Sequence, residues 1–251
     1  MPKTKKEKKI KFVIVSDNHG DMVDWDAAKA LFDFIQWYQP EEIIHAGDGF
    51  DFRSIRGGAS ANEQSESLED DLKWGKKFLT HLKPTRYLKG NHCERPENIF
   101  YATTNAIVKD YCFHLMEDID NFIKGIGCKT ILPYHADEGV FRLGKVAVVH
   151  GYTVNRYSIQ EHAEFYGVSG GAVTMGHLHR IGCVNARKHG GVVGFCGGHL
   201  SRKREMRYAK NRLGTAEWGT GWLCGYIQGD DWKIWQVHRV GDKFIYPQDA
   251  R

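Results

Sequence analysis

The sequence predicts an α/β fold in which two β-sheets pack together and carry helices on their outer faces. Up to about residue 90, strand-like apolar runs alternate with helical patterns, whereas strand-like runs dominate the second half. At 251 residues the chain can bury a large core, and no linker-like stretch divides its middle. The expected organisation is a basic tail over residues 1–9 and one domain over residues 10–251, without internal repeats.

In chain order, IKFVIVSD (10–17) is a continuous, β-branched apolar run and reads as a buried strand ending at Asp17. Over Trp25–Tyr38, the apolar residues Leu31, Phe34, Ile35 and Tyr38 keep helical spacing, and Pro40 closes the segment. EEIIHAG (41–47) is a second strand running into Asp48. A polar loop over 53–67 precedes a helical pattern in LEDDLKWGKKFLTHL. TRYLKG (85–90) is a third strand and delivers Asn91 and His92. Between 107 and 144, short strands are expected around Val108–Met116 and Lys129–Leu132. KVAVVHG is a buried strand ending at His150, and AVTMGHLHR another, ending in His177 and His179. A helix near Tyr157–Tyr166 lies between them. GVVGFCGG, GWLCGYIQ and WKIWQVHRV follow as strands, the last two joined by the turn GDD.

Composition narrows the function classes. Hydrophobic residues make up 41% and charged residues 26% of the chain, as in globular proteins. The opening MPKTKKEKK carries five lysines with no apolar run behind it, so a secretory leader is not expected, and no stretch approaches the roughly 20 apolar residues of a membrane span. The six cysteines are scattered without a C-x-x-C pair, which favours reduced, mostly buried thiols in a cytoplasmic protein. A formal charge of +4 does not by itself call for nucleic acid.

The strand ends carry the chemistry. Asp17 with His19, Asp48, Asn91 with His92, His150, and His177 with His179 each follow a strand. In open α/β sheets the carboxyl ends of strands are where ligands bind, so these groups are expected to converge. Alternate residues of an extended chain point the same way at roughly 6–7 Å, so the D-x-H and H-x-H pairs are each expected to present two heads to one cavity. Carboxylate and imidazole together suit Mn, Fe or Zn better than Mg or Ca. With His92 set aside, the donors are too many for one ion and suit two ions about 3.5–4 Å apart that share a carboxylate.

In order, D-x-H at 17–19, G-D at 47–48, G-N-H at 90–92, H-G at 150–151 and G-H-x-H at 176–179 resemble the motif series of the calcineurin-like metallophosphoesterases. The resemblance implies a four-layer α/β/β/α sandwich of mixed sheets. It also implies two divalent cations, with Mn2+ first and Fe, Zn or Ni behind it. Asp17, His19 and His179 would hold one ion, Asn91, His150 and His177 the other, and Asp48 would bridge. His92 would be the catalytic acid or phosphate contact. The implied reaction is hydrolysis of a phosphate ester by metal-activated water.

The substrate is read from weaker signals. Arg53, Arg56 and Arg95 flank the second and third motifs and are candidate phosphate contacts, although exposed loop arginines are the commoner case. SRKREMRYAKNR (201–212) holds six basic residues, and Trp218, Trp222, Trp232 and Trp235 offer faces for bases, although solvated loops and core tryptophans are commoner. His45, His135, His162 and His199 are expected to be structural or solvated, with His199 the leading exception. GDGFDFR keeps a second acid, Asp51, but lacks the Arg-Gly that follows it in phosphoprotein phosphatases. A phosphodiesterase acting on nucleotides or nucleic acid is the first expectation, a small-molecule phosphomonoesterase the second and a non-catalytic binding module the last. Cys93 stands where the family usually has an acidic residue beside the histidine, which leaves the carboxylate that orients His92 to be found in Glu94 or elsewhere.

Overall fold

A computed structural model describes residues 7–202 and 213–247. Among these residues the chain forms the two mixed sheets expected. In the first, β1 (Ile10–Val15), β2 (Glu42–His45), β3 (Arg86–Leu88) and β4 (Thr130–Leu132) run parallel. Its other half is antiparallel and comprises β10 (Gly221–Gln228), β11 (Asp231–Val240) and β12 (Lys243–Phe244), with β10 pairing to β1. The second sheet has the order β5 (Phe141–Leu143), β6 (Val146–Val149), β7 (Ala172–Met175), β9 (Val193–Gly197), β8 (Ile181–Asn185).

The period of two along the buried strands builds the layers. Phe12 and Ile14 of β1 pack with Val146 and Val148 of β6, Ala172 and Phe195 in the space between the sheets. Their neighbours Val13 and Val15 face the other way, onto α1 (Trp25–Tyr38), α3 (Leu68–Leu82) and α5 (Ala106–Gly125). Ala147 and Val149 likewise face α6 (Ser158–Tyr166). The result is helix, sheet, sheet, helix. Asp24 caps α1 by accepting from the amides of Asp26 and Ala27, and Gln39 ends it in a left-handed conformation before Pro40.

Several segments differ from the sequence reading. The strand expected around Val108–Met116 is part of the long helix α5. Asn105 caps this helix through the amides of Ile107 and Val108, and Cys112, Leu115, Ile119 and Ile123 form its buried face. Val108, the one β-branched residue of the expected strand, lies in the first turn of the helix. The preceding α4 (Arg95–Ala102) starts at Arg95–Pro96, a favourable place for proline. Within the expected loop, a capping box between Ser60 and Glu63 nucleates the single-turn α2 (Ala61–Gln64). The strand expected at Lys129–Leu132 is β4.

Cys112, Cys128, Cys196 and Cys224 are buried, Cys93 is half-buried and Cys183 exposed, all as free thiols. Among the described residues no helix is long and apolar enough to cross a membrane. Residues 203–212 of the basic run lie outside the described residues. Of the four tryptophans, Trp222 is fully buried, stacked on Phe244 at 4.9 Å and packed on Phe34. Trp232 and Trp235 are partly buried against the two cores. Trp222→Ala is expected to cost about 3–5 kcal/mol in urea unfolding; a loss under about 1 kcal/mol would contradict this packing.

Candidate metal centre

Parallel strands end together, so the loops after β1, β2, β3, β6 and β7 meet along one edge of the sandwich. The conformation of those loops, not the pleat, brings the donors together. Asp17, His19, Asp48, His177 and His179 all have positive φ, between 53° and 66°. The expectation that each i, i+2 pair lies on extended chain is therefore corrected. The backbone has already turned left-handed at these residues, a conformation in which Asp, Asn and His are the side chains best tolerated after glycine. Backbone hydrogen bonds from the amides of Asp17 to Gly47 O (3.0 Å), His19 to Asp48 O (3.0 Å) and Gly20 to Gly49 O (3.1 Å) tie the first two loops together past the strand ends. Close approach requires glycine at two points. A Cβ on Gly47 would lie 2.2 Å from His150 Nδ1, and one on Gly90 would lie 2.2 Å from Asp48 Oδ1.

One cluster comprises Asp17, His19 and His179. The two Nε2 atoms are 3.0 Å apart, and Asp17 Oδ1 is 3.3 Å from His179 Nε2 and 3.9 Å from His19 Nε2. Metal bonds of about 2.0–2.2 Å at tetrahedral or octahedral angles separate neighbouring donors by roughly 3–3.6 Å; two of the three separations fall in that range and the Asp17–His19 one is slightly longer, so a small closure would let the set hold one cation. The buried Asp17 Oδ1 has no hydrogen-bond partner, while its other oxygen is held by the His177 amide at 2.9 Å. Burial would raise the Asp17 carboxyl, but His179 and His150 bring it well below the usual carboxylate range. The acid is therefore ionised, with one oxygen aimed at the two imidazoles.

Asp48, His150 and His177 form a second cluster, joined by Asn91. His150 Nε2 lies 3.3 Å from Asp48 Oδ2 and 3.0 Å from Asn91 Oδ1, and the His150 and His177 rings are 5.1 Å apart. His150 Nδ1 donates to Ala46 O at 2.8 Å, so Nε2 is the nitrogen that would ligate a cation once its proton is displaced. Burial lowers the basicity of His150, yet the Asp48 charge outweighs it and the ring is pushed up to about 9. In His177, burial and the neighbouring His150 push it down to about 3, so its imidazole is neutral. Asp48 also groups with His19 and His92, so it faces both clusters.

His92 stands at their side, with its ring 4.6 Å from that of His19 and its Nε2 3.7 Å from Asp48 Oδ2. Its orienting carboxylate is Asp51, whose Oδ1 accepts from His92 Nδ1 at 2.6 Å and faces His19 Nδ1 at 3.3 Å. Burial opposes ionisation of Asp51, but the His19 and His92 hydrogen bonds hold it well below the carboxylate range. Cys93 turns away to Tyr87, its Sγ 3.6 Å from the hydroxyl, and burial pushes its thiol up to about 11. Asp71 of α3 carries no sequence signal beyond a place in an acidic first helical turn. Its carboxylate accepts the amides of Asp51 (3.0 Å) and Phe52 (2.6 Å), and Phe52 too is left-handed. Asp71 thereby fixes the loop that carries Asp51.

The three flanking arginines are engaged with carboxylates. Arg53 pairs with Asp21, Glu66 and Asp51, Arg56 with Glu63, and Arg95 with Asp51. His45 is buried against Asn18 Oδ1 at 2.7 Å, and His162 accepts from the Tyr152 amide. His199 lies 5.1 Å from His179 and bonds Ser201, and Trp218 sits 4.2 Å from His179.

The family model described as calcineurin-like phosphoesterase matches residues 10–199, which include all eight strand-end residues. The Gene 54 protein of Mycobacterium phage D29 is 27% identical over 263 aligned residues, covering 93% of this chain and 95% of its own. Its namesake in Mycobacterium phage L5 is 25% identical with the same coverage. Among solved structures, a single mutant of Vps29 from Entamoeba histolytica matches 94% of this chain and 96% of its own at 10% identity, with a TM-score of 0.48.

Burial and the Asp51 charge push the Asp71 carboxyl up to about 7, from an ordinary value of 3.8. Between these values the folded protein holds a proton that the unfolded chain has released, so this group lowers stability as pH rises from about 4 to about 7. Urea unfolding across that range in chelator is expected to show a shallower fall for Asp71→Asn than for the parent; parallel curves would refute the assignment.

Proposed function

Because the chain belongs to the calcineurin-like phosphoesterase family, we propose that it is a hydrolase that cleaves P–O ester bonds with two divalent cations. Asp17, His19 and His179 would hold one, Asn91, His150 and His177 the other, with Asp48 shared. The carrying observation is the buried Asp17 Oδ1, which accepts no hydrogen bond and faces two imidazole nitrogens. Mixed carboxylate and imidazole donors favour Mn2+, then Fe, Zn or Ni. When bound, the cations supply ionised water at neutral pH and neutralise phosphoryl charge.

The protein's own groups do the rest. The Ala46 carbonyl and the His177 amide hold His150 and Asp17 in the orientations that present their donors. Asp51 accepts the Nδ1 proton of His92, so the opposite nitrogen, Nε2, faces the centre. As a water oxygen forms its bond to phosphorus, its proton passing to solvent, and the ester P–O bond breaks, the doubly protonated His92 gives its Nε2 proton to the departing oxygen and regains one from solvent. Arg53, Arg56 and Arg95 are the candidate phosphate contacts, and each would have to leave a carboxylate partner to meet a phosphoryl oxygen.

The substrate reading is a phosphodiester of nucleotide type, supported by the tryptophan packed on His179. A small phosphomonoester is the alternative. The unpaired thiols favour a reducing, cytoplasmic setting.

With Mn2+ added, bis-p-nitrophenyl phosphate is expected to turn over faster than p-nitrophenyl phosphate, and preference for the monoester would favour the alternative. His92→Ala is expected to lower turnover by about 10²–10⁴-fold while metal content stays at the parent level. Parallel loss of metal would make His92 a ligand instead.

A further inference from the structure

Beside the metal centre lies a pocket of about 400 Å³ whose walls include Val154, Arg156, Leu178, Arg180 and Trp218. It adjoins the centre through two residues. Leu178 separates the candidate ligands His177 and His179 in sequence, and the Trp218 ring packs 4.2 Å from His179 and 5.6 Å from His199. The walls are held in place: Arg180 donates to Glu217 at 3.1 Å and to the carbonyls of Asn155 and Arg156 at 3.2 Å, and it forms a β-bridge with Trp218. These contacts join the segments that carry Val154, Leu178 and Trp218 into one frame. Arg180 is thus a fixed strut, whereas the Arg156 side chain has no hydrogen bond or ion pair among the described residues and is exposed.

The chemistry of the lining is specific. An indole, Leu178 and the 76% exposed Val154 give an apolar surface suited to a flat ring, and the Arg156 guanidinium supplies a cation for phosphate charge. The volume lies within the range of small-molecule sites. We propose that this pocket receives the nucleoside of a nucleotide phosphodiester, with the base against Trp218 and Leu178, so that the adjoining phosphate reaches the metal centre. This names the substrate class for the two-cation reading and rests on it only for the bond that is cleaved; base recognition stands on the pocket alone.

The test therefore separates binding from turnover. In chelator, calorimetry on the full chain compares adenosine 5′-monophosphate with ribose 5-phosphate, which lacks the base. The parent is expected to bind the nucleotide at least about tenfold more tightly, the scale of one stacked base. Trp218→Leu is expected to abolish that preference, and Trp218→Phe, which keeps a ring beside His179, to retain part of it. Arg156→Glu, which alters no candidate ligand, is expected to weaken binding of both phosphates. Equal affinities in the parent, or a base preference that survives Trp218→Leu, would overturn the proposal. A base preference that depends on Trp218, in a protein that hydrolyses no ester with Mn2+, would support the pocket and refute the two-cation hydrolase.

Discussion

The centre depends on a backbone constraint: five of the seven candidate ligands sit in the left-handed region, immediately beyond the ends of parallel strands. Each such residue costs on the order of 1 kcal/mol. The cost is offset by backbone hydrogen bonds that join the loops of neighbouring strands past the sheet, from the amides of Asp17 to Gly47, His19 to Asp48 and Gly176 to His150 among them. With the left-handed turn, side chains from both sheets reach one edge, and two sheets become necessary because neither carries a complete donor set.

A second level of organisation lies behind the donors. Asp51 takes the Nδ1 sides of His19 and His92 on one oxygen, so the orientation of a candidate ligand and that of the candidate acid are set by the same carboxylate. Asp51 is in turn held by Asp71 from α3 and neutralised by Arg53 and Arg95. This succession of buried groups ties the outer helix layer to the centre. It also explains how Cys93 is accommodated, because the role usually given to an acidic neighbour of this histidine is already filled from another loop.

Much of this was legible in the sequence because strand ends are local. The apolar runs fix where β1, β2, β3, β6 and β7 stop, and the eight polar residues follow at once. The reason for convergence was not legible, since D-x-H and H-x-H read equally well as extended chain, and φ at Asp17 or His177 depends on bonds to distant loops. The helix at Ala106–Gly125 was missed because its cap at Asn105 is plain only once the turn is known. Asp51 could be noticed by its spacing from Asp48, but its partner His92 lies 41 residues away. Asp71 had no signal, because its role is to accept two backbone amides.

The account rests on two cations bound between the sheets. Crystals grown with Mn2+ and measured at the manganese absorption edge test it most directly. Two anomalous peaks about 3.5–4 Å apart are expected, one against Asp17, His19 and His179, the other against Asn91, His150 and His177, with Asp48 touching both. A single peak, or none at full Mn2+ occupancy of the crystal solution, would contradict the account.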